Sequence, residues 1–135
     1  MLLSREEYKS LNNVESITPR IMTATFNGNS QVTVISCYSP TNTSDEEDIT
    51  QFYGGLFDLV KAAPKHNIKI IGGDMNAKLG CSDVNCSTYG KSTNCNGIKL
   101  TDFMRECDFI PMNTRYPKRR VNYGHLNTPT EKKLS

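Results

Sequence analysis

Ile68-Lys69-Ile70-Ile71-Gly72-Gly73-Asp74-Met75-Asn76-Ala77 decides how the rest of this chain is read. An apolar, β-branched run ends in two glycines, then a carboxylate, then an amide two residues on. With Asn67 before it, the run to Ile71 reads as a strand. Gly72 and Gly73 have no Cβ, so a ligand or another backbone can come close there. If the chain stays extended past the glycines, Asp74 and Asn76 point to the same side, because strand side chains alternate. One side then offers a proton acceptor beside an amide donor. That pairing suits phosphodiester hydrolysis, which needs an activated water and donors aimed at the developing charge. The same residues also read as a plain turn, since Asp and Asn are common turn formers.

Upstream, residues 20–26 and 31–38 read as strands rich in Val, Ile, Thr and Phe. The Asn27-Gly28-Asn29-Ser30 loop between them is expected to supply the positive φ angles of a hairpin turn. Pro40 marks the exit of the second strand and places Tyr38 at its C-terminal rim. A helix follows to about residue 63, with Ser44 and Glu47 as a capping box. Its apolar stripe is Ile49, Phe52, Tyr53, Leu56, Val60 and Ala63. Gly54 and Gly55 weaken it by roughly 1 kcal/mol each relative to Ala. Strand, helix and strand make a crossover unit, and such units carry chemistry on the loops at their strand C-termini. Tyr38 and Asp74 therefore belong on one rim.

Outside that unit the patterning is thinner. Ser4 and Glu7 form another capping box for a short helix, and Asn12-Asn13 reads as a turn. Residues 78–96 form a long polar loop, 97–107 a helix with Leu100, Phe103, Met104 and Cys107 on one face, and 109–112 a short strand that Pro111 confines to an edge. Residues 121–135 have no periodic pattern.

The 135 residues make one domain, long enough to bury roughly two thirds of its surface. The hydrophobic fraction is 36% and the mean hydropathy −0.52, but the apolar residues lie in blocks. A net charge of +2 is too small to indicate nucleic-acid binding by composition. Basic residues do gather at Lys118-Arg119-Arg120 and Lys132-Lys133. No apolar run approaches the ~20 residues of a membrane span, and the N-terminus lacks a signal-peptide pattern. With five cysteines, an odd number, free thiols in a nuclear or cytoplasmic setting are expected. Cys81, Cys86 and Cys95 share one loop, but their spacing fits no zinc pattern, and neither His66 nor His125 falls among them.

Several of these blocks, in order, resemble the endonuclease/exonuclease/phosphatase superfamily. They are Arg20-Ile21-Met22, Phe26-Asn27-Gly28-Asn29, Ile35-Ser36-Cys37-Tyr38-Ser39-Pro40-Thr41, Pro64-Lys65-His66-Asn67, Gly73-Asp74-Met75-Asn76-Ala77-Lys78-Leu79-Gly80, Asn96-Gly97, Leu100-Thr101-Asp102-Phe103 and Asn113-Thr114-Arg115-Tyr116. The likeness is greatest to the apurinic-endonuclease-like domain of non-LTR retrotransposons and host proteins derived from them. It covers roughly residues 4–120, so a partial domain 1–120 with an irregular basic tail 121–135 is expected, truncated at both ends.

The resemblance implies an α/β fold, a partial four-layer sandwich of two sheets flanked by helices. It implies a Mg²⁺-dependent phosphodiesterase that nicks DNA, with DNA as partner and no membrane. By the same resemblance Asp74 orients or deprotonates the attacking water, Asn76 steadies the scissile phosphate, both also being assigned to the metal, and Tyr38 contacts the phosphate. The family's metal-binding Glu has no counterpart before Arg20. Its closing Trp-Thr and Ser-Asp-His segments are missing too: the chain has no Trp, and His125 follows Gly124 rather than an acid. The sequence therefore points to an endonuclease fragment inactive by itself, or alternatively to a non-catalytic remnant that binds nucleic acid or protein.

Overall fold

The computed structural model describes residues 1–80 and 93–115. The elements run α1 (Arg5–Ser10), β1 (Leu11–Thr18), β2 (Ile21–Phe26), β3 (Val32–Tyr38), α2 (Glu46–Ala62), β4 (Ile68–Asp74), α3 (Cys95–Cys107) and a 3₁₀ turn (Met112–Thr114). The four strands form one sheet in the order β1-β2-β3-β4. The first three pair antiparallel, whereas β4 runs parallel to β3 after the α2 crossover. The fold is thus mixed α/β, a sheet flanked by helices, as a partial α/β sandwich requires.

Register divides the sheet into two faces, since residues directly opposite each other share one. Ile21 and Thr23 of β2 lie with Cys37 and Ile35 of β3 and, across the parallel pair, with Gly73 and Ile71 of β4. This face meets the helices. The stripe expected on α2 is buried at Ile49, Phe52, Tyr53, Leu56 and Val60, while Ala63 becomes the C-cap. Phe103 and Met104 of α3 complete the same core. Each large side chain so buried contributes about 1.5–3 kcal/mol.

Gly73 sets how closely β4 approaches β3. Its φ is +139°, and a Cβ there would lie 1.8 Å from the Cys37 carbonyl oxygen. The close approach allowed by the glycine pair is thus made by backbone, at Gly73, while the Cβ position of Gly72 is open.

Several local expectations are corrected. Asn12 and Asn13 lie inside β1, where the register shifts between Leu11 and Asn13, so the pair accommodates a bulge and not a turn. No residue of the 27–31 loop has positive φ, because this connection is longer than a two-residue turn and reverses without it. Asp45, not Ser44, is the N-cap of α2 and makes no side-chain cap bond. Ser44 Oγ instead lies 3.2 Å from Thr41 Oγ1. Residues 109–112 are not a strand. Asp108 takes the left-handed conformation, φ 57°, and the Phe109 N–H turns back to the Met104 carbonyl. The Phe109 ring then stacks on Phe103 at 5.7 Å. The Ser4–Glu7 capping box is present as expected. Residues 121–135 lie outside the described residues.

Two glycine substitutions test this account in opposite directions. Gly73→Ala is expected to destabilise by on the order of 3 kcal/mol or more, because the new Cβ meets backbone in a strained conformation. Gly54→Ala, exposed on α2 with no atom within 4 Å of the added Cβ, is expected to stabilise by up to about 1 kcal/mol. Urea unfolding of both variants measures the difference, and equal stabilities would contradict it.

Candidate active site

The sheet brings Tyr38 and Asp74 together directly. They are the last register partners of the β3–β4 pair, and both are exposed. Just beyond them, the Ser39 N–H donates to the Asp74 carbonyl at 2.8 Å. Arg20 joins the pair from the start of β2. Its carbonyl accepts from the Tyr38 N–H at 2.9 Å, and its guanidinium carbon lies 5.6 Å from the centre of the Tyr38 ring. Arg20 is the cation of this rim, and only the β2–β3 register reveals it.

Asn76 is placed differently from the extended reading. The strand ends at Asp74, and Asn76 has a φ of 46°. Its backbone N–H donates to Asp74 Oδ1 at 2.9 Å, so the two residues form a tight turn in which the carboxylate accepts from the main chain. The Asn76 side-chain Nδ2 donates to the Ser39 carbonyl at 2.8 Å. The amide therefore ties the two strand-end loops together. The turn reading of these residues is thus present in the structure.

A buried polar network holds this rim. Asn96 is wholly buried; its Nδ2 donates to the Pro40 carbonyl at 3.0 Å, and its Oδ1 accepts from Ser39 Oγ at 3.1 Å. The Tyr53 hydroxyl of α2 donates to the Asn96 carbonyl at 3.3 Å. Asn94 caps α3 by accepting from the Gly97 N–H, also accepts from the Lys78 N–H, and donates to the Asn76 carbonyl at 3.0 Å. Gly97 permits the approach, since a Cβ there would sit 2.1 Å from the Lys78 carbonyl oxygen. The sequence offered a signal for Asn94 only, as an N-cap before an apolar-periodic stretch. The role of Asn96 depends on a contact with residues far away in sequence.

Around this rim the chemistry is limited. Among the described residues no three His, Cys, Asp or Glu side chains gather as a metal site. Cys95 is exposed, while Cys81, Cys86, His125 and the basic run at 118–120 lie outside the described residues. Cys37 is buried, 3.4 Å from Met75 Sδ, and burial pushes its thiol up to about 11. Burial likewise pushes the Tyr53 hydroxyl up to about 12.

Two curated proteins match this chain. Craniofacial development protein 2 of Bos taurus and that of Tragulus javanicus are each 32% identical to it over 117 residues. The chain is homologous to craniofacial development protein 2. The match takes in 83% of this chain but 19% and 20% of those relatives, so the chain spans about a fifth of their length. A match of that extent to craniofacial development protein 2, on a chain of 135 residues, necessarily includes Tyr38, Asp74, Asn76 and Asn96. No family model matches, and no solved structure matches.

Cys37 makes stability depend on pH. Its folded pKa is raised from 9.0 to about 11, so the native state holds the proton where the unfolded chain releases it. The stability is fully present below pH 9 and is lost as pH rises toward 11. Urea unfolding at pH 8 and pH 10.5 is expected to show a loss of about 2 kcal/mol from this thiol. Cys37→Ala should remove that part of the loss, and an unchanged pH slope would refute the assignment.

Proposed function

We propose that this chain is part of a phosphodiesterase-type domain of the endonuclease/exonuclease/phosphatase superfamily, of retroelement origin. As this chain it engages the DNA backbone without cutting it. The domain is taken as residues 1–120 with a basic tail at 121–135, acting in the nucleus or cytoplasm. No helix among the described residues is long and apolar enough to cross a membrane.

The observation that carries this reading is the Tyr38–Asp74 register pair at the C-terminal rim of the crossover unit, with Arg20 against Tyr38. A guanidinium and a phenol hydroxyl on one rim suit phosphate oxygens. By the resemblance, Asp74 would orient a water, with Asn76 two residues on.

The described residues do not fit the Mg²⁺ that the resemblance implies. Asp74 is the one carboxylate at the rim, and its Oδ1 already accepts from the Asn76 N–H. The Asn76 amide donates to Ser39. Mg²⁺ demands near-octahedral oxygen ligation, and a lone exposed carboxylate supplies little of it. No catalytic step is therefore routed through a metal, and the developing charge of a hydrolysis has no counter-ion here beyond Arg20.

Plasmid incubated with the purified chain and Mg²⁺ is expected to stay supercoiled. Duplex DNA should shift in a gel at about 50 mM salt and be released by about 200 mM, as backbone contacts require. Arg20→Ala should weaken the shift about threefold or more, and Asp74→Asn should strengthen it by removing a charge that repels phosphate. Nicking that disappears with EDTA and in Asp74→Ala would show instead that the chain is an enzyme. Absence of any shift at low salt would remove the binding reading.

A further inference from the structure

The loop from Tyr38 to α2 ends in a serine with carboxylates behind it. Ser44 is followed by Asp45-Glu46-Glu47-Asp48, and no other Ser or Thr of the chain has four acids in a row after it. The Ser44 hydroxyl does not cap the helix, because Asp45 takes that position. Its Oγ lies 3.2 Å from Thr41 Oγ1, which also meets Thr43 Oγ1 at 3.0 Å. Both threonines are exposed and Ser44 is half-buried, so water readily replaces this contact. All four acids are exposed, and among the described residues none of them forms an ion pair. Glu46, Glu47 and Asp48 complement the positive end of the α2 dipole, which holds them together as one unshielded negative patch.

A protein kinase takes its substrate as an extended segment, so the first turn of α2 must open to present Ser44 with its acids. The fold permits that. Asp45 is already extended, with φ −60° and ψ 145°, and makes no side-chain cap bond. The first buried residue of α2 is Ile49. Opening the turn as far as Asp48 therefore uncovers no apolar side chain. The rest of the helix stays docked through Phe52, Tyr53, Leu56 and Val60. Helix ends of this kind open locally without global unfolding.

We propose that Ser44 is a phosphorylation site for an acid-directed Ser/Thr protein kinase, one whose substrate groove is lined with Lys and Arg. In the transfer, Ser44 Oγ attacks the γ-phosphorus of ATP, and the bond from that phosphorus to the bridging oxygen breaks. The hydroxyl proton passes to the kinase's catalytic base, and the products are phosphoserine and ADP. The carboxylates after the acceptor pair with the groove's cations, whereas a kinase with an acidic groove is repelled. Thr43 has the same acids one position farther off and Thr41 three, so the selection falls on Ser44. A phosphoserine carries about −1.5 to −2 charges, against a net charge of +2 for the whole chain. One transfer thus takes a weakly basic chain close to neutrality.

The purified full chain, incubated with ATP, Mg²⁺ and casein kinase II, tests this. One phosphoryl group per chain is expected, and tandem mass spectrometry should place it on Ser44. Ser44→Ala is expected to abolish the incorporation. Asp45→Asn combined with Glu47→Gln, which keeps a capping side chain, should lower kcat/KM about tenfold or more with circular dichroism unchanged. Cyclic-AMP-dependent protein kinase, which reads basic residues ahead of its acceptor, should leave Ser44 unmodified. Absence of phosphate on Ser44, a phosphate placed mainly on Thr41 or Thr43, or a rate unmoved by removing the two charges would each overturn the proposal.

Discussion

A single buried amide, that of Asn96, holds the strand-end rim of this molecule in place. It lies fully out of solvent between the end of β3 and the start of α3. A buried amide left unpaired costs roughly 1–3 kcal/mol, so its partners are as constrained as it is. It accepts from Ser39, donates to Pro40, and takes the Tyr53 hydroxyl on its own carbonyl. Three segments far apart in sequence are thereby fixed to one another. The Asn76 amide then repeats the device one layer outward, holding the Ser39 carbonyl from the β4 side. The exposed pair Tyr38 and Asp74 stands on this rigid base, which explains how a polar rim can be ordered while its outer side chains remain in water.

The parallel β3–β4 pair is the second constraint, and it depends on a residue without a side chain. Gly73 lets β4 lie against Cys37 at a distance no Cβ would permit. That contact aligns the strand ends so that Tyr38 faces Asp74. The same alignment buries the Cys37 thiol beside Met75. Backbone proximity, thiol burial and the juxtaposition at the rim are therefore one geometric fact with three consequences.

What the sequence made legible follows from the range of each interaction. The 2.0 and 3.6 periods placed β2, β3, α2 and α3 within a residue or two, because burial on one face writes itself into the local pattern, whereas β4 runs three residues past Ile71, through both glycines to Asp74. The crossover rule put Tyr38 and Asp74 on one rim, because right-sized α/β connections leave few alternatives. The failures occurred where a long-range contact overrides local chemistry. Asn12 and Asn13 have turn character, yet β2 recruits them into a bulged strand. The 109–112 run has strand composition, yet its first N–H belongs to the end of α3 and its aromatic ring to Phe103. Arg20 and Asn96 have no local signal at all, since their roles exist only once β2 has met β3 and α3 has met the β3 loop.

The placement of the rim on the face without helices bears on its chemistry. Tyr38 and Asp74 share the parity of Ile70, not that of Ile71, so they look away from the core. Charge-stabilised hydrolysis depends on donors acting in a site from which water is excluded. Among the described residues no helix covers the flanking face, the carboxylate is exposed, and Arg20 rests on an exposed ring. Whatever packs on Val14, Ile68 and Ile70 also lowers the dielectric beside Asp74, strengthening every interaction that Arg20 and Asp74 make. Covering the apolar face and tuning the polar rim are, in this fold, a single event.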